Sequence, residues 1–478
     1  MLGAPTRSHH QPDLSTVRGL GRGSVFRALS YATVLTLPLV SVPLLPETAA
    51  TAVTPISIVF AALLLASRFV GVVRYARVPR WLLLGALLAT TAVIMSYVPV
   101  VFDPAALGVD SQRLVSRSIR AIVTLGAAGI YVGAFFVMLR SRHIGPERFT
   151  CIVVVGGCIH AVVALLAIAT ALGVPVLSDV YRAMREVLTT SGASPIGGLR
   201  RVAALGFEPS FAGFEYAGWW VPISLALAFN PRTRRSGVGL TGVFATAALA
   251  TMSLTAALGL IVVAGTAALV YVATLRGALA RALFVCAAIV ALALAPTVPP
   301  VASVLERVAR QGPALVSGEL LERGPRDPSL AVRGALLHTA LNVSVAYPLT
   351  GAGFGLAGYR FPEYRPAWTF GNPYMSEFVR YLEQPDGRVF PTAKNLYVRA
   401  SSEAGLLLLA VLIGLVTVGF WQGVALARRS APRDQRRWVG LAATFGIAGS
   451  AAAYLSLDSF AIPYLWAWLG IVAGARAP

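Results

Sequence analysis

The stretch PTAKNLYVRASSEAGLLLLAVLIGLVTVGFWQGVALARR, residues 391–429, decides the fold. Its first part is polar and contains Lys394, Arg399 and Glu403, whereas the run at 405–425 is almost wholly apolar and is soon followed by two arginines. An apolar run of about 20 residues is long enough to cross a lipid bilayer as an α-helix. We therefore predict that this stretch enters a membrane from a polar loop and leaves it at a basic link.

Comparable apolar runs recur along nearly the whole chain of 478 residues, of which 56% are hydrophobic and only 13% are charged. A soluble chain usually has about 25% charged residues. The sequence therefore predicts an all-α polytopic membrane protein with about twelve transmembrane helices. These helices are expected at 25–45, 51–72, 81–101, 119–139, 150–172, 212–229, 237–253, 255–275, 282–303, 405–425, 438–456 and 459–475.

The arginines indicate which side of the membrane each link occupies. A net charge of +20 could suggest a nucleic-acid partner, but the arginines cluster in short links between apolar runs, which is typical of cytoplasmic loops. When the N-terminus is placed in the cytoplasm, only three acidic residues fall on that side, Asp13, Glu147 and Asp434. We therefore expect a multi-pass protein of the cytoplasmic (inner) membrane, with both termini cytoplasmic and no nucleic-acid partner.

The predicted helices divide the chain into four parts. Residues 1–24 form a cytoplasmic tail, 25–303 hold helices one to nine with an outer loop at 173–211, 304–404 form a large extracytoplasmic loop, and 405–478 hold the last three helices. Loops this long are usually either functional or disordered. Because the large loop carries many aromatic residues and helix-like stretches, we expect it to be folded, partly helical and catalytic.

The segment GLRRVAALGFEPS at 198–210 leads into the sixth predicted helix. Arg200 and Arg201 could simply lie at the level of the lipid headgroups, or they could clamp a phosphate, whose oxygens match the donors of a guanidinium. Pro209 suits the first turn of a helix, so Glu208 is expected at the helix start, where the dipole favours an acid. Capping alone would explain Glu208, and a catalytic carboxylate is the alternative.

Two further segments carry polar groups at the expected outer surface. Ser253 and Thr255 lie in a tight turn between predicted helices, where their hydroxyls could bond freed backbone groups or line a cavity. The segment at 329–347 has one apolar stripe of helical period, with Arg333 at its border. His338 lies about 140° further round that helix, so these two side chains are not expected to point together, and a locally bonded histidine is favoured over a general base.

The glycine-rich segment PLTGAGFGLAG at 348–358 does not have the spacing or the preceding strand of a nucleotide-binding motif. Glycines such as Gly353 would instead allow a tight turn and a close approach of backbone N–H groups to an anion or to another helix.

The polar entrance to the tenth predicted helix carries Lys394, Asn395, Tyr397, Arg399 and Glu403. Three of these residues, Asn395, Arg399 and Glu403, lie four positions apart and therefore share one helical face. An ordinary salt-bridged helix entry would explain them. The alternative is a polar lining of a substrate cavity.

In chain order these motifs read R-x4-G-x-E-P-S at 201–210, S-x-T at 253–255, R-x14-P-x2-G-x-G-x-G at 333–355 and N-x-Y-x5-E-x-G at 395–405. With about twelve apolar runs and one large loop before the tenth, the ordered set resembles the bacterial O-antigen ligase and O-antigen polymerase superfamily. The resemblance covers about 200–410, and the N-terminal half is similar only in hydropathy.

This resemblance implies a GT-C-like, metal-independent glycosyltransferase of cell-envelope polysaccharide biosynthesis. It further implies a donor glycan linked to undecaprenyl pyrophosphate, no cofactor, and Arg201 and Arg333 at the family's pyrophosphate-binding positions. The lipid bilayer and a chain-length regulator are the other expected partners. The candidate catalytic residues are Glu208, Arg201 and Arg333, and the candidate substrate-binding residues are Arg200, Ser253, Thr255, Gly353, Lys394, Asn395, Tyr397, Arg399 and Glu403.

One departure from the family pattern bears on the reaction. Ligases of this family typically have a histidine directly before the asparagine of the last motif, where this chain has Lys394. Because a protonated lysine is a poor base, this favours a polymerase that joins exopolysaccharide or O-antigen repeats over a ligase that uses a different lipid or protein acceptor. Glu208 is then the first candidate for the general base and Glu403 the second. A transporter of lipid-linked sugars is disfavoured, because no internal repeat is visible.

Overall fold

The computed structural model describes residues 20–40, 55–75, 78–102, 109–141, 144–188, 203, 205, 208–274, 328–370, 378–379, 382, 390–431 and 433–475. Within these ranges every regular element is helical, as predicted. The main helices are α1 (Leu20–Leu35), α2 (Ser57–Tyr75), α3 (Arg80–Ser96), α4 (Val98–Phe102), α5 (Ser111–Arg140), α6 (Gly145–Ala171), α7 (Pro175–Leu188), α8 (Pro209–Glu215), α9 (Val221–Ala228), α10 (Arg234–Ala250), α11 (Leu254–Thr274), α12 (Pro328–Ala346), α13 (Phe361–Tyr364), α14 (Leu396–Arg429), α15 (Gln435–Ala453) and α16 (Tyr464–Gly474). A π-helical turn, Tyr216–Trp220, joins α8 to α9.

Five helical stretches are long and apolar enough to cross a membrane: Arg80–Phe102, Ser111–Arg140, Gly145–Thr170, Leu254–Val272 and Leu396–Arg429. Each overlaps one of the predicted transmembrane helices, which confirms a membrane protein with several spanning helices. The predicted helix at 282–303 lies outside the described residues. The count of twelve and the assignment of the two membrane sides therefore stay predictions.

The bundle is built around the pair of α14 and α15, which pack against each other along their length. Gly423 and Gly440 lie at this contact, and a Cβ added to Gly440 would be only 2.9 Å from the carbonyl oxygen of Gly423. Small residues let helix backbones approach closely, which is a main source of helix association in a bilayer. Around this pair, α3 and α12 pack on α14, α11 packs on α15, and α16 packs on α5.

A kink at Gly405, where φ is 74°, divides α14 at the point where the predicted large loop meets the predicted transmembrane helix. The kink frees backbone groups that the glycine-rich segment then satisfies. Ala352 donates its N–H to the carbonyl of Ser402 at 2.9 Å, and Leu406 donates to the carbonyl of Pro348 at 2.8 Å. Non-helical backbone inside an apolar bundle is tolerated only where the protein supplies such partners.

Candidate functional site

The glycine-rich segment lies where several helix ends meet, at one end of the bundle. Phe354 donates its backbone N–H to Ser96 Oγ at 3.0 Å, and Tyr97 OH donates to the carbonyl of Phe354 at 2.7 Å. Gly355 donates its N–H to Oε2 of Glu403 at 3.1 Å. These bonds hold the segment between the end of α3 and the start of α14.

The backbone of this segment requires glycine at Gly351, Gly353 and Gly355, which all have positive φ. Gly351 has a φ of 68°, and a Cβ there would lie 2.6 Å from the carbonyl oxygen of Glu403. Gly355 has a φ of 79° and lies directly against Ala121 of α5. Only glycine adopts such angles readily. Gly353, which the sequence suggested as a substrate-binding position, is buried between them, and the close approach that these glycines allow in the structure is to other helices.

Asn395 caps α14 and fastens its start to the neighbouring helix end. Its Oδ1 accepts the N–H groups of Tyr397 at 3.0 Å and Val398 at 3.1 Å, which is the usual role of an N-cap side chain. Its Nδ2 donates to the carbonyl of Leu455 at 3.1 Å, and Tyr397 OH donates to the carbonyl of Ala451 at 2.9 Å. The polar groups of Asn395 and Tyr397 are therefore bonded within the protein.

A buried ion pair lies directly behind this cap. Arg399 Nε donates to Oε1 of Glu403 at 2.8 Å, and its Nη1 donates to the backbone carbonyl of Asp458 at 2.8 Å. Arg399 is 2% exposed and Glu403 3% exposed. A buried pair is tolerated when its remaining donors and acceptors are also bonded, and the N–H of Gly355 occupies the second oxygen of Glu403. The structure thus shows the salt bridge of the first interpretation given above, and the lining of a substrate cavity stays a prediction.

Asp458, in the link between α15 and α16, belongs to the same network although the sequence did not single it out. Its Oδ2 accepts the backbone N–H of Lys394 at 3.0 Å. Burial alone would raise the pKa of the Asp458 carboxyl. The charges of Lys394 and Arg399, with hydrogen bonds from Thr392 and the Lys394 backbone, outweigh burial and hold this pKa below its usual range.

The backbone of Lys394 is strained. Its φ of 54° lies in the left-handed region, which residues other than glycine seldom adopt. Such residues persist only where the surroundings hold them and are concentrated at functional sites. Here the hydrogen bond to Asp458 is one of the contacts that hold Lys394, immediately before the N-cap of α14.

Arg333 differs from Arg399 in its surroundings. It lies on α12, whose apolar stripe is buried as predicted, at Val332, Leu336, Ala340 and Val343. Arg333 itself is half-buried. Within the described part of the chain, no hydrogen bond, ion pair or aromatic ring engages its guanidinium group. Its positive charge is therefore not neutralised by any described neighbour.

His338, also on α12, is bonded locally. Its Nδ1 accepts a hydrogen bond of 3.4 Å from Trp368 Nε1, and burial lowers the pKa of its imidazole. A histidine with a lowered pKa is neutral at physiological pH. This is the arrangement that the sequence favoured over a general base.

Glu208 stands at the N-cap of α8 with Pro209 at the first helical position, as predicted. Its side chain makes no capping bond to the backbone of the helix. Instead, its Oε2 accepts a hydrogen bond of 3.1 Å from Ser210 Oγ. The half-buried carboxylate thus retains lone pairs that can accept further hydrogen bonds. Arg200 and Arg201 lie outside the described residues.

Ser253 and Thr255 are both buried in the turn between α10 and α11. Ser253 Oγ accepts the N–H of Ala256 at 3.1 Å and so caps α11. Thr255 Oγ1 and Ser456 Oγ share a hydrogen bond of 2.6 Å. Of the two uses expected for these hydroxyls, the structure shows bonding within the protein.

A family of known proteins matches the part of the chain that contains most of these features. Residues 239–413 match the family described as O-antigen ligase, and no curated protein matches the chain. The matched region runs from α10 into α14 and contains Arg333, the glycine-rich segment and the ion pair of Arg399 and Glu403. Over this region the chain is similar to the O-antigen ligase family, and the match supports the resemblance to the O-antigen ligase and O-antigen polymerase superfamily.

Proposed function

We propose that this protein polymerises lipid-linked oligosaccharide repeats on the outer face of the cytoplasmic membrane. The donor is a growing glycan on undecaprenyl pyrophosphate, and the acceptor is the non-reducing end of another lipid-linked repeat. The observation that carries the proposal is Arg333, an arginine in the matched domain whose charge no described group neutralises. A guanidinium in this state is suited to binding a substrate phosphate.

The reaction exchanges one bond to the anomeric carbon of the donor sugar for another. The bond from this carbon to the pyrophosphate oxygen breaks, and a bond to the acceptor hydroxyl oxygen forms. The lipid pyrophosphate leaves with the negative charge that develops on its own oxygen as that bond breaks. The proton of the acceptor hydroxyl passes to a base. Arg333 and Arg201, assisted by Arg200, stabilise the leaving pyrophosphate, and no metal or cofactor takes part.

Glu208 is the proposed base. Its carboxylate lies at a helix start, in the first of the four motifs that carry the resemblance, and among the described residues it is bonded only to Ser210 Oγ. The second candidate, Glu403, has both oxygens occupied by Arg399 and the Gly355 N–H. A carboxylate whose two oxygens are held by other donors is poorly placed to take the proton of an acceptor hydroxyl, and this supports Glu208 over Glu403.

The remaining candidate residues act by holding the site in place. Arg399 and Glu403 fix the start of α14, and the glycine-rich segment that includes Gly353 is bonded to that start. Ser253, Thr255, Asn395 and Tyr397 fasten the adjoining helix ends. Lys394, at the strained position before this helix, supplies a contact to the anionic donor in this proposal.

A ligase that transfers the glycan to a different lipid or protein is the second candidate, because the matched family is described as O-antigen ligase. The two reactions share the donor and the leaving group and differ only in the acceptor. Lys394 favours the polymerase. It occupies the position where ligases of the resembled family typically have the histidine that acts as base.

The test is a transfer assay with purified protein in liposomes that contain one synthetic lipid-linked repeat and a chelator. A polymerase gives a ladder of products without another acceptor, and the Arg333→Ala variant gives none. Arg182→Ala, at an exposed arginine of α7 paired with Asp179, is the control and gives the wild-type ladder. A product ladder without a preferred length would indicate that a separate chain-length regulator sets the length of the polymer. Transfer only after a different acceptor is added would make the protein a ligase, and loss of transfer with the chelator would contradict metal independence.

A further inference from the structure

Arg117, in the second turn of α5, lies against the site but belongs to none of its motifs. Its guanidinium carbon lies 3.7 Å from the centroid of the Phe390 ring, so the ring covers one face of the planar group. A guanidinium stacked in this way keeps the N–H donors along its edge available for hydrogen bonds. Phe390 is buried and stands four residues before Lys394.

Two of the donors of Arg117 are buried without an acceptor. Nε and Nη2 are shielded from solvent, and among the described residues neither has a hydrogen-bond partner. Buried donors in proteins are nearly always bonded, so an unbonded pair on one charged group calls for an explanation. A ligand that supplies oxygen acceptors would provide one.

The charges around Arg117 also point to an anion. Its guanidinium interacts electrostatically with Arg399 and with Glu403. The network of which these residues are part contains Lys394 and Asp458 as well. Arg120 also interacts electrostatically with Arg117, so four cations face two carboxylates among the described groups of this network, which leaves a surplus of positive charge.

The fold places Arg117 beside the backbone of the site. Gly355 lies directly against Ala121, one turn further along α5, and a Cβ on Gly355 would be 3.5 Å from the carbonyl oxygen of Arg117. The same Gly355 donates its N–H to Glu403. The first turns of α5 are therefore fixed against the glycine-rich segment and, through it, against the start of α14.

We propose that Arg117 binds a phosphoryl oxygen of the pyrophosphate on the lipid-linked donor, as a further arginine beside Arg201 and Arg333. This inference rests on the proposed function. The planar edge of a guanidinium forms paired hydrogen bonds with phosphate oxygens, which would satisfy both buried donors and the surplus charge together. The phosphate of a phospholipid headgroup has the same chemistry and is the alternative source of the anion.

The experiment measures binding of inorganic pyrophosphate to the full chain in nanodiscs, by protection against thermal unfolding. We expect Arg117→Ala to weaken this binding about 10- to 100-fold, the range expected for lost hydrogen bonds to a charged group. Arg117→Lys, which keeps the charge without the planar edge, gives an intermediate loss and carries the test if the alanine variant does not fold. Arg182→Ala, at an exposed arginine of α7 paired with Asp179, is the control and stays within about twofold of wild type.

Pyrophosphate affinity that is unchanged in both Arg117 variants overturns the inference. The inference is also overturned if Arg117 binds a lipid headgroup. In that case anionic phospholipid in the nanodisc competes with a constant concentration of pyrophosphate, and the competition disappears in Arg117→Ala. A separate transfer assay distinguishes the two proposals. Wild-type protein that transfers no glycan removes the proposed function, whereas reduced pyrophosphate binding in the Arg117 variants would still support a phosphoryl site.

Discussion

Arg399 and Arg333 belong to the same matched domain but have opposite surroundings. Arg399 is fully enclosed, and its donors are used by Glu403 and by the carbonyl of Asp458. Arg333 is half-buried on α12, with no described partner for its charge. An arginine's place in the matched domain therefore does not by itself define its task. The first side chain completes the fold, whereas the second remains available to a ligand.

The largest effect is expected from Arg399→Ala. Its removal leaves Glu403 buried without a countercharge, and breaking a buried ion pair in this way costs about 3–5 kcal/mol. We expect a large fall in the unfolding temperature of the purified protein and a low yield from membranes. Arg429→Ala, at the exposed far end of the same helix, is the control and unfolds like the wild type. Equal stability of Arg399→Ala would remove the distinction between the two arginines.

Glu208→Gln is expected to act on the reaction and not on the fold. Loss of a general base typically costs about 10²- to 10⁴-fold in rate, and we expect a fall of kcat in this range with an unchanged unfolding temperature. Glu403→Gln should lower the unfolding temperature and leave the kcat of the folded protein unchanged, because Glu403 neutralises Arg399. A fully active Glu208→Gln variant would exclude this residue as the base.

Asp458→Asn tests the network through pH. Because the pKa of Asp458 is lower in the folded protein than the value of about 3.9 in unfolded chains, its ionised carboxylate stabilises the fold at every pH above that value. This stabilisation disappears as the pH falls through the folded-state pKa. We expect the variant to be less stable by about 1.5–3 kcal/mol near pH 7, the range for hydrogen bonds to a charged group, and the difference to shrink only below about pH 4. A constant difference down to pH 3 would contradict the ionised network.

The smallest effect is expected from Ser253→Ala. Loss of an N-cap costs about 1 kcal/mol, so the unfolding temperature should fall slightly while kcat stays close to wild type. Thr266→Ala, whose hydroxyl bonds only within α11, is the matched control. A large loss of activity at normal stability would instead show that Ser253 contacts the substrate.

Much of this architecture could be predicted from local sequence. The apolar runs predicted the long helices, Pro209 predicted the start of α8 with Glu208 at its cap, and helical periodicity predicted the buried stripe of α12. Each of these features depends on residues within a few turns of one another, so periodicity and capping rules are sufficient.

The scaffold of the site could not be predicted in the same way. Arg399 bonds to the carbonyl of a residue 59 positions away, and Gly355 bonds to Glu403 across 48 positions. No local pattern encodes such pairs. The available signals were an acid, Asp458, at the end of an apolar run, and an arginine, Arg117, near the start of another. Neither signal identified its partner.

The most direct test of the central claim is the size profile of surface polysaccharide in cells that lack the gene and carry Arg333→Ala, with the amount of protein in the membrane measured in parallel. We predict that the variant accumulates to the wild-type level while long chains are absent and single repeats remain on the lipid carrier. Long chains of normal size at a normal protein level would contradict the assignment of Arg333 to the substrate. Loss of the protein from the membrane would contradict the proposed difference between Arg333 and Arg399.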